Sequence, residues 1–395
     1  MSSSAPVRTA CYDHHIAAGA TIVDFHGFEL PIRYTSITDE HLATRSAAGL
    51  FDVAHMGCIL LTGPGAIDVF DGMATQNVSS IEEGRCAYTH FCDENGFIID
   101  DMIFAVTTCD EVARSGLVQI DDQGLCILGV PNASMVVPME QWFLKCLEGR
   151  DGVRFHQLSD STAILALQGP ASMDILSSAL GITVNRFRGM SFTSEFIDVR
   201  GWVQGTGYTG EPGVEIMIRH DDAPKVWSRL IEVGAPKGLK PVGLGARDTL
   251  RLEKGYLLSG QDFIWPGLEG LEEGSVPRDV LSLRSIQTNS PFGIDLDVEF
   301  IGRQSNLEVA EDATAPRLVG FNLVSRGPPP RPGHVVENSD GQHIGWVTSG
   351  GPSPSLDSLG IGLALVSNVD PSDEIHIRAS PRRSTPARMT TPPFV

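Results

Sequence analysis

From residue 315 onward the chain is built of short β-rich runs, "RLVGFNLV", "HVVE", "HIGWVTSG", "IGLALV" and "EIHIRAS", parted by turns carrying glycine and proline. Strands so short bury their apolar faces only by closing into a barrel or stacking as a sandwich, since a lone hairpin is marginal in water. Residues 312–395 are therefore expected to form a small β-rich domain, barrel-like in character. The tract "PPPRPG" is too short for a polyproline ligand and reads as a rigid turn.

Upstream the texture is α+β, and no tandem repeat is present. After an extended piece at 21–25, the pattern turns helical from Ser36, with Thr38 as cap, Asp39 and Glu40 in the first turn and Gly49 to end it. "LFDVAHMGCILLTG" reads as a strand pair, and "PGAIDVFDGMAT" as a helix opened by proline. "YTHF" and "FIIDDMIFAV" are strands about the turn "DENG". A strand "GLCILGV", a helix "PMEQWFLKCLEG" and a strand over 161–167 ending in "QGP" follow, and Pro170 and Ala171 start another helix. "FTSEFIDVRG" and "GVEIMIRH" flank "GTGYTGEP". "PKVWSRLIEVG" is an amphipathic helix, and "PVGLGARDTLRLEKG" opens a longer one carrying Arg247, Asp248, Arg251 and Glu253. Residues 267–291 have weak periodicity and read as an excursion.

Twenty-nine basic against forty-nine acidic side chains give a net charge of −20, which disfavours nucleic acid as a partner because phosphates need cations. The acidity fits a salty cytoplasm, and equally a biased genome composition. No apolar run approaches the roughly 20 residues a membrane span needs. The first ten residues lack the apolar centre of a secretory signal, so a cytoplasmic location is expected. Seven cysteines, all within the first 146 residues and without a CxxC pair, point to free thiols. The histidines form neither HxH nor HExxH, so no metal is expected.

Two features invite chemistry. Asp100 and Asp101 interrupt an apolar strand, and because neighbours in a strand face opposite ways, one of the two needs a partner or a ligand. That need is met either by capping a turn or pairing with an arginine, or by a reaction that develops positive charge. Glu215 lies inside the apolar run 214–218, just after a turn holding Tyr208 and several glycines. A carboxylate so placed needs a partner, and it can accept two hydrogen bonds from a flat donor pair.

The collinear blocks "GATIVDFHGFELPIRY", "EHLATRSAAGLFDVAHMG", "AYTHFCDENGFIIDD", "GTGYTGEPGVEI", "PVGLGARDTLRLEKG", "FIGRQ" and "IGWVTSGGPSPSL" cover nearly the whole chain. In order and spacing they resemble the aminomethyltransferase family, the T-protein of the glycine cleavage system. The resemblance implies an α+β, three-domain cloverleaf around a folate-binding central channel. Residues 1–55 and 155–265 would form the first domain, 56–154 the second, 266–311 a connecting excursion and 312–395 the last. It implies transfer of the methylene carbon from the aminomethylated lipoyl arm of H-protein to tetrahydrofolate, with release of ammonia, by a monomer that meets H-protein transiently.

By the same resemblance Asp101 is the catalytic carboxylate, with Asp100 its solvent-facing or structural neighbour. Met56, Tyr88, Asp101, Asn132, Tyr208, Glu215 and Arg247 contact the folate, Asn132 at a longer spacing from Asp101 than is usual. The glycines about Tyr208 would let the turn approach a ligand. His55 matches a histidine that is structural or substrate-adjacent, and Arg326 one that holds the last domain against the core. Pro212, Ser259 and Gly351 depart from the family pattern and bear on donor specificity. The alternatives are a folate-dependent transferase acting on a small N- or S-methyl donor, and a non-enzymatic folate-binding or iron-sulfur assembly relative. A form fused to a flavin oxidase is not expected, because the chain is too short to hold a separate dehydrogenase domain as well.

Overall fold

The structure, a computed structural model, describes residues 5–184, 188–270, 274–370 and 372–395. It forms two compact units: Met1–Phe70, Val78–Ala87 and Met102–Asp248 make one, and Asp71–Asn77, Tyr88–Asp101 and Thr249–Val395 the other.

The first unit is organised by a six-stranded sheet in the order Ser191–Phe196, Val199–Gln204, Gly213–Arg219, Thr162–Gln168, Ala48–Asp52, Leu239–Pro241, antiparallel except at its last pair. Alternation along these strands decides what each face does. Leu50, Leu165, Leu167, Val214, Ile216 and Ile218 point to one side and pack with Ile175, Leu176, Val226, Trp227 and Leu230 of the helices Ser172–Leu180 and Ala223–Gly234. Phe51, Ala166, Gln168 and Glu215 occupy the alternate positions of the same strands, so they face away from the helices.

Several local expectations need correction. The helix Ile37–Ser46 is capped by Ser36, not Thr38: Ser36 has extended backbone and its hydroxyl accepts from the Asp39 N–H at 3.0 Å. The helix is over by Ala47, and Gly49 already lies in a strand. A Cβ there would stand 2.4 Å from Thr44 Oγ1 and 2.8 Å from Val242 Cγ2, so close packing is its reason. The strands Ala48–Asp52 and Ile59–Thr62 do not pair. The second joins a five-stranded sheet, between Leu125–Val130 and Arg154–Gln157. The stretch "FTSEFIDVRG" is itself a hairpin, turning at Ile197 and Asp198 with φ of 42° and 61°, as a two-residue turn between right-twisted strands requires.

In the second unit the strands Arg317–Leu323, Leu359–Val366, His343–Ser353, Val335–Glu337, Glu374–Ser380 and Arg383–Thr390 close into a six-stranded barrel in that order. Closure removes the free edges that a small sheet would expose. Phe321, Val336, Val347, Ala364, Ile375, Ile377 and Ala387 fill the inside. Leu318, Ile361, Leu363 and Leu365 pack on the outside with Leu252, Leu257, Phe263 and Leu283. The excursion holds short helical turns among its described residues, at Arg278–Leu281, Ser285–Gln287 and Pro291–Gly293, and then the helix Arg303–Glu311.

A buried ion pair anchors this outer layer. The Arg251 guanidinium donates to Asp262 Oδ2 at 3.0 Å, the Tyr256 carbonyl at 3.0 Å and Ser349 Oγ at 2.9 Å. Asp262 also accepts from Thr348 Oγ1 at 2.6 Å and the Leu258 N–H at 2.9 Å. Two residues on, the Glu253 carboxylate accepts from the hydroxyls of Ser353 and Ser355, at 2.5 and 2.9 Å. Arg326, expected to hold the last domain against the core, is exposed and donates to the Asp357 carbonyl at 3.1 Å, a bond internal to the barrel module.

All seven cysteines are free thiols. Burial pushes those of Cys58, Cys86 and Cys92 up to about 12. Among the described residues no helix is long and apolar enough to cross a membrane.

Asp262→Ala leaves the buried Arg251 charge unpaired and is expected to destabilise the second unit by about 3–5 kcal/mol. Denaturant unfolding followed by hydrogen exchange in the barrel strands measures this, and an unchanged midpoint would remove the pair from the list of essential contacts.

Candidate active site

The sheet face turned away from the helices Ser172–Leu180 and Ala223–Gly234 carries the first group of candidate residues. Phe51, Val53, Ala166, Gln168, Tyr208, Thr209, Glu215 and Arg247 together line one cavity. Ala166 stands opposite both Phe51 and Glu215 in register, which puts the carboxylate amid apolar neighbours. Its Oε2 accepts from the Thr206 hydroxyl and from Gln204 Nε2, the latter at 3.4 Å. No described residue donates to Oε1, so the carboxylate keeps acceptor capacity toward the cavity.

Arg247 sits in the first turn of the helix Leu244–Lys254, and its guanidinium carbon lies 4.5 Å from the centroid of the Tyr208 ring. This cation–π contact lays a flat cation on a flat ring. The Tyr208 turn is held from two sides. Arg45 donates to the Thr209 carbonyl at 2.6 Å and to Glu211 at 2.9 Å, so the first glutamate of the motif is structural. The buried Gln168 amide donates to the carbonyls of Thr206 and Val214 at 3.1 and 3.2 Å, and accepts from Thr209 Oγ1 at 2.9 Å.

Gln168 corrects the reading of the glycines. A Cβ on Gly207 would fall 1.9 Å from Gln168 Oε1, and one on Gly213 would fall 2.4 Å from Gln168 Nε2. These two glycines make room for an internal amide rather than for a ligand. Pro212 is exposed, and its carbonyl accepts from the Gly169 N–H at 2.8 Å and Ser172 Oγ at 3.1 Å, fixing the turn to the next helix.

Met56 and Asn132, both half-buried, lie on neighbouring backbone, since the Gly57 N–H donates to the Pro131 carbonyl at 2.9 Å. Neither lines the Glu215 cavity. His55 is buried with its ring edge-on to Phe25 at 5.4 Å, and its Nδ1 has no hydrogen-bond partner among the described residues. Burial, then the Arg247 charge, lowers its pKa to about 3, so the ring is neutral.

Tyr88 and Asp101 belong to the second unit and meet each other there. The Tyr88 hydroxyl donates to Asp101 Oδ2 at 2.7 Å. Asp101 is half-buried, whereas Asp100 is fully buried and accepts from Ser259 Oγ at 3.1 Å. Of the two readings of Asp100, solvent-facing or structural, its burial supports the second: the hydroxyl at Ser259, a departure from the family pattern, helps satisfy its carboxylate inside the protein. Sequence reasoning missed Gln168 and Thr206, and it missed His90 beside Tyr88. Gln168 was signalled by a lone amide ending an apolar strand.

A mixed α+β unit with a carboxylate, tyrosine and arginine on its open sheet face, joined to a unit with a closed barrel, defines a class that comparison with known proteins makes specific. The family model for the GCVT N-terminal domain matches residues 11–265, and that for the glycine cleavage T-protein C-terminal barrel domain matches residues 317–395. The chain belongs to the aminomethyltransferase family of the glycine cleavage T-protein. It is 36% identical to the aminomethyltransferase of Halothermothrix orenii over 373 residues, covering 94% of this chain and 95% of that one. It is also 36% identical to that of Bacillus pumilus, covering 91% and 90%. The crystal structure of glycine cleavage system aminomethyltransferase T from Bartonella henselae superposes with a TM-score of 0.81 at 26% identity, over 98% of each chain.

His55 and His90 share one thermodynamic consequence. Both rings are buried and their pKa values are lowered to about 3 from 6.5, in each case chiefly by burial. Between those values the unfolded chain binds the more protons, so the stabilisation is full above pH 6.5 and is lost as pH falls toward 3. At pH 5 each ring is expected to withdraw roughly 2 kcal/mol. Thermal midpoints at pH 7 and 5 should therefore drop in the parent and drop less in His55→Asn and His90→Gln, and identical slopes would rule this origin out.

Proposed function

We propose that this aminomethyltransferase takes tetrahydrofolate as acceptor and an aminomethyl thioether on the lipoyl arm of H-protein as donor. The donor carbon leaves sulfur and nitrogen, and forms bonds to two folate nitrogens. Those nitrogens release two protons, and thiol and ammonia take them up, so the products are dihydrolipoyl H-protein, ammonia and 5,10-methylenetetrahydrofolate.

The observation that carries the acceptor half is the Glu215 carboxylate. Its Oε2 is held by Thr206 and Gln204, no described residue donates to Oε1, and the residue lines the cavity. Two oxygens in one plane, one fixed and one available, fit the adjacent N–H and amino donors of a pterin edge. The Tyr208 ring with Arg247 on its face supplies a flat wall with a cation, suited to an aromatic ligand bearing carboxylates. Met56 and Asn132 are assigned to the folate as well, Met56 for apolar packing and Asn132 for polar contact.

Asp101 is assigned the charge that develops on the transferred carbon. A carboxylate with one oxygen tied to the Tyr88 hydroxyl is oriented in advance and stays an acceptor, which suits stabilising a cation or taking a proton. The donor half is supported by the full-length similarity to aminomethyltransferases.

The assay incubates the protein with aminomethylated lipoyl H-protein and tetrahydrofolate and follows ammonia. Asp101→Asn is expected to lower kcat by about 100-fold or more with folate affinity little changed. Glu215→Gln is expected to weaken folate binding by about 10-fold or more, as loss of a charge-assisted hydrogen bond does. Absence of ammonia from the parent despite tight folate binding would overturn the donor in favour of a small N- or S-methyl compound. Full turnover in Asp101→Asn would overturn the carboxylate.

A further inference from the structure

Behind Tyr88 lies a buried chain of hydrogen bonds that the proposed reaction does not by itself call for. His90 is fully buried, and its Nε2 is 2.9 Å from the Tyr88 hydroxyl oxygen. Its Nδ1 makes a short hydrogen bond with the hydroxyl of Ser285, which is also buried. Tyr88 in turn donates to Asp101 Oδ2 at 2.7 Å.

Counting protons sets the direction of every link. A phenol has one proton, and that of Tyr88 is on the bond to Asp101, so toward His90 the Tyr88 oxygen can only accept. Nε2 must then carry the ring's proton, which leaves Nδ1 of the neutral imidazole as an acceptor, and Ser285 donates to it. Burial keeps the ring neutral, lowering its pKa to about 3. The surroundings are closed: a Cβ on Gly293 would lie 2.8 Å from the Tyr88 ring and 3.1 Å from that of His90, so this segment packs directly on both rings. The His90 backbone is pinned too, its N–H donating to Thr75 Oγ1 at 3.0 Å and its carbonyl accepting from the Thr75 N–H at 3.1 Å.

We propose that His90 and Ser285 are positioning residues for Asp101, acting through Tyr88: Ser285 selects the Nε2–H tautomer of His90, and that N–H holds the Tyr88 hydroxyl so that it donates to the carboxylate. The opposite tautomer would turn Nε2 into an acceptor and draw the Tyr88 proton away from Asp101. The carboxylate would then lose the donor that orients it, and its attraction for a proton would rise. The inference rests on the assignment of Asp101 as the reacting carboxylate, so the test separates the two.

Ammonia release and tetrahydrofolate affinity are measured on the full chain for His90→Leu, His90→Gln and Ser285→Ala, each alone and combined with Tyr88→Phe, with Asp101→Asn alongside. His90→Leu removes the donor and is expected to lower kcat about tenfold with folate Kd within about twofold, the size of one lost buried hydrogen bond. His90→Gln, whose amide N–H can reach the same oxygen, is expected to recover most of that loss. Ser285→Ala admits both tautomers and should fall between the two. In the Tyr88→Phe background the His90→Leu effect should vanish, because the link it acts through is gone.

A residue that only fills space would lose the same factor in both backgrounds, and that result overturns the proposal. So does a His90→Gln as slow as His90→Leu. If His90→Leu does not fold, the near-isosteric His90→Gln and Ser285→Ala with their Tyr88→Phe partners decide the matter by the same criterion. An inactive Asp101→Asn beside fully active His90 and Ser285 variants removes the relay alone. An active Asp101→Asn removes the carboxylate assignment and the relay with it.

Discussion

The second unit depends on a charge it has buried. Arg251 and Asp262 are each almost wholly sealed from solvent, at 1% and 0% exposure, a state that costs several kcal/mol per ion unless every donor and acceptor is met. They are met by Tyr256, Leu258, Thr348 and Ser349, and the Glu253 carboxylate is met by Ser353 and Ser355. Thr348, Ser349 and Ser353 all come from the strand His343–Ser353, so the end of one helix reads the register of one barrel strand. A slip of that strand would move those hydroxyls away from Arg251, Asp262 and Glu253 and leave buried charges short of partners. The pair's contribution is therefore specificity of arrangement more than net stability.

The first unit solves a different problem with the same economy of parts. One sheet presents two faces, and the parity of each residue decides whether it meets the helices or the cavity. Glu215 sits between Val214 and Ile216, both at 0% exposure, and still reaches a polar environment because a strand turns every second side chain over. Gln168 does the equivalent work for the loop, since one buried amide ties three of the turn's backbone or hydroxyl groups together. Precision of the Tyr208 turn comes from that amide and from Arg45, both lying outside the motif that attracts the eye.

Much of this was legible before any coordinates. The barrel followed from strand length and spacing, and the helices from apolar periodicity. Glu215 and Asp101 stood out because carboxylates in apolar strands need partners. What failed did so for physical reasons. Alternation left Asp100 either solvent-facing or structural, and local pattern could not choose because the donor that meets it, Ser259, is far away in sequence. Gly49 looked like a helix stop because local rules see glycine as a terminator, whereas its missing side chain is spent on contact with Thr44 and Val242. His90 was within reach of the alternation rule, two residues from Tyr88 and hence on the same strand face. Its second partner, Ser285, lies in the irregular excursion, where no periodicity points to anything.

The burial of the thiols has a consequence for a protein that meets a sulfur-bearing substrate. A lipoyl arm of the kind proposed as carrier bears a disulfide in its oxidised form, and an accessible cysteine thiolate can exchange with that disulfide. Exchange proceeds through the thiolate. With Cys58, Cys86 and Cys92 pushed up to about 12 by burial, their thiolate fraction at neutral pH is negligible. Packing alone thus makes these three thiols bystanders to the carrier's redox chemistry, and the fold keeps them without the mixed disulfide that a ready thiolate would form with an oxidised lipoyl arm.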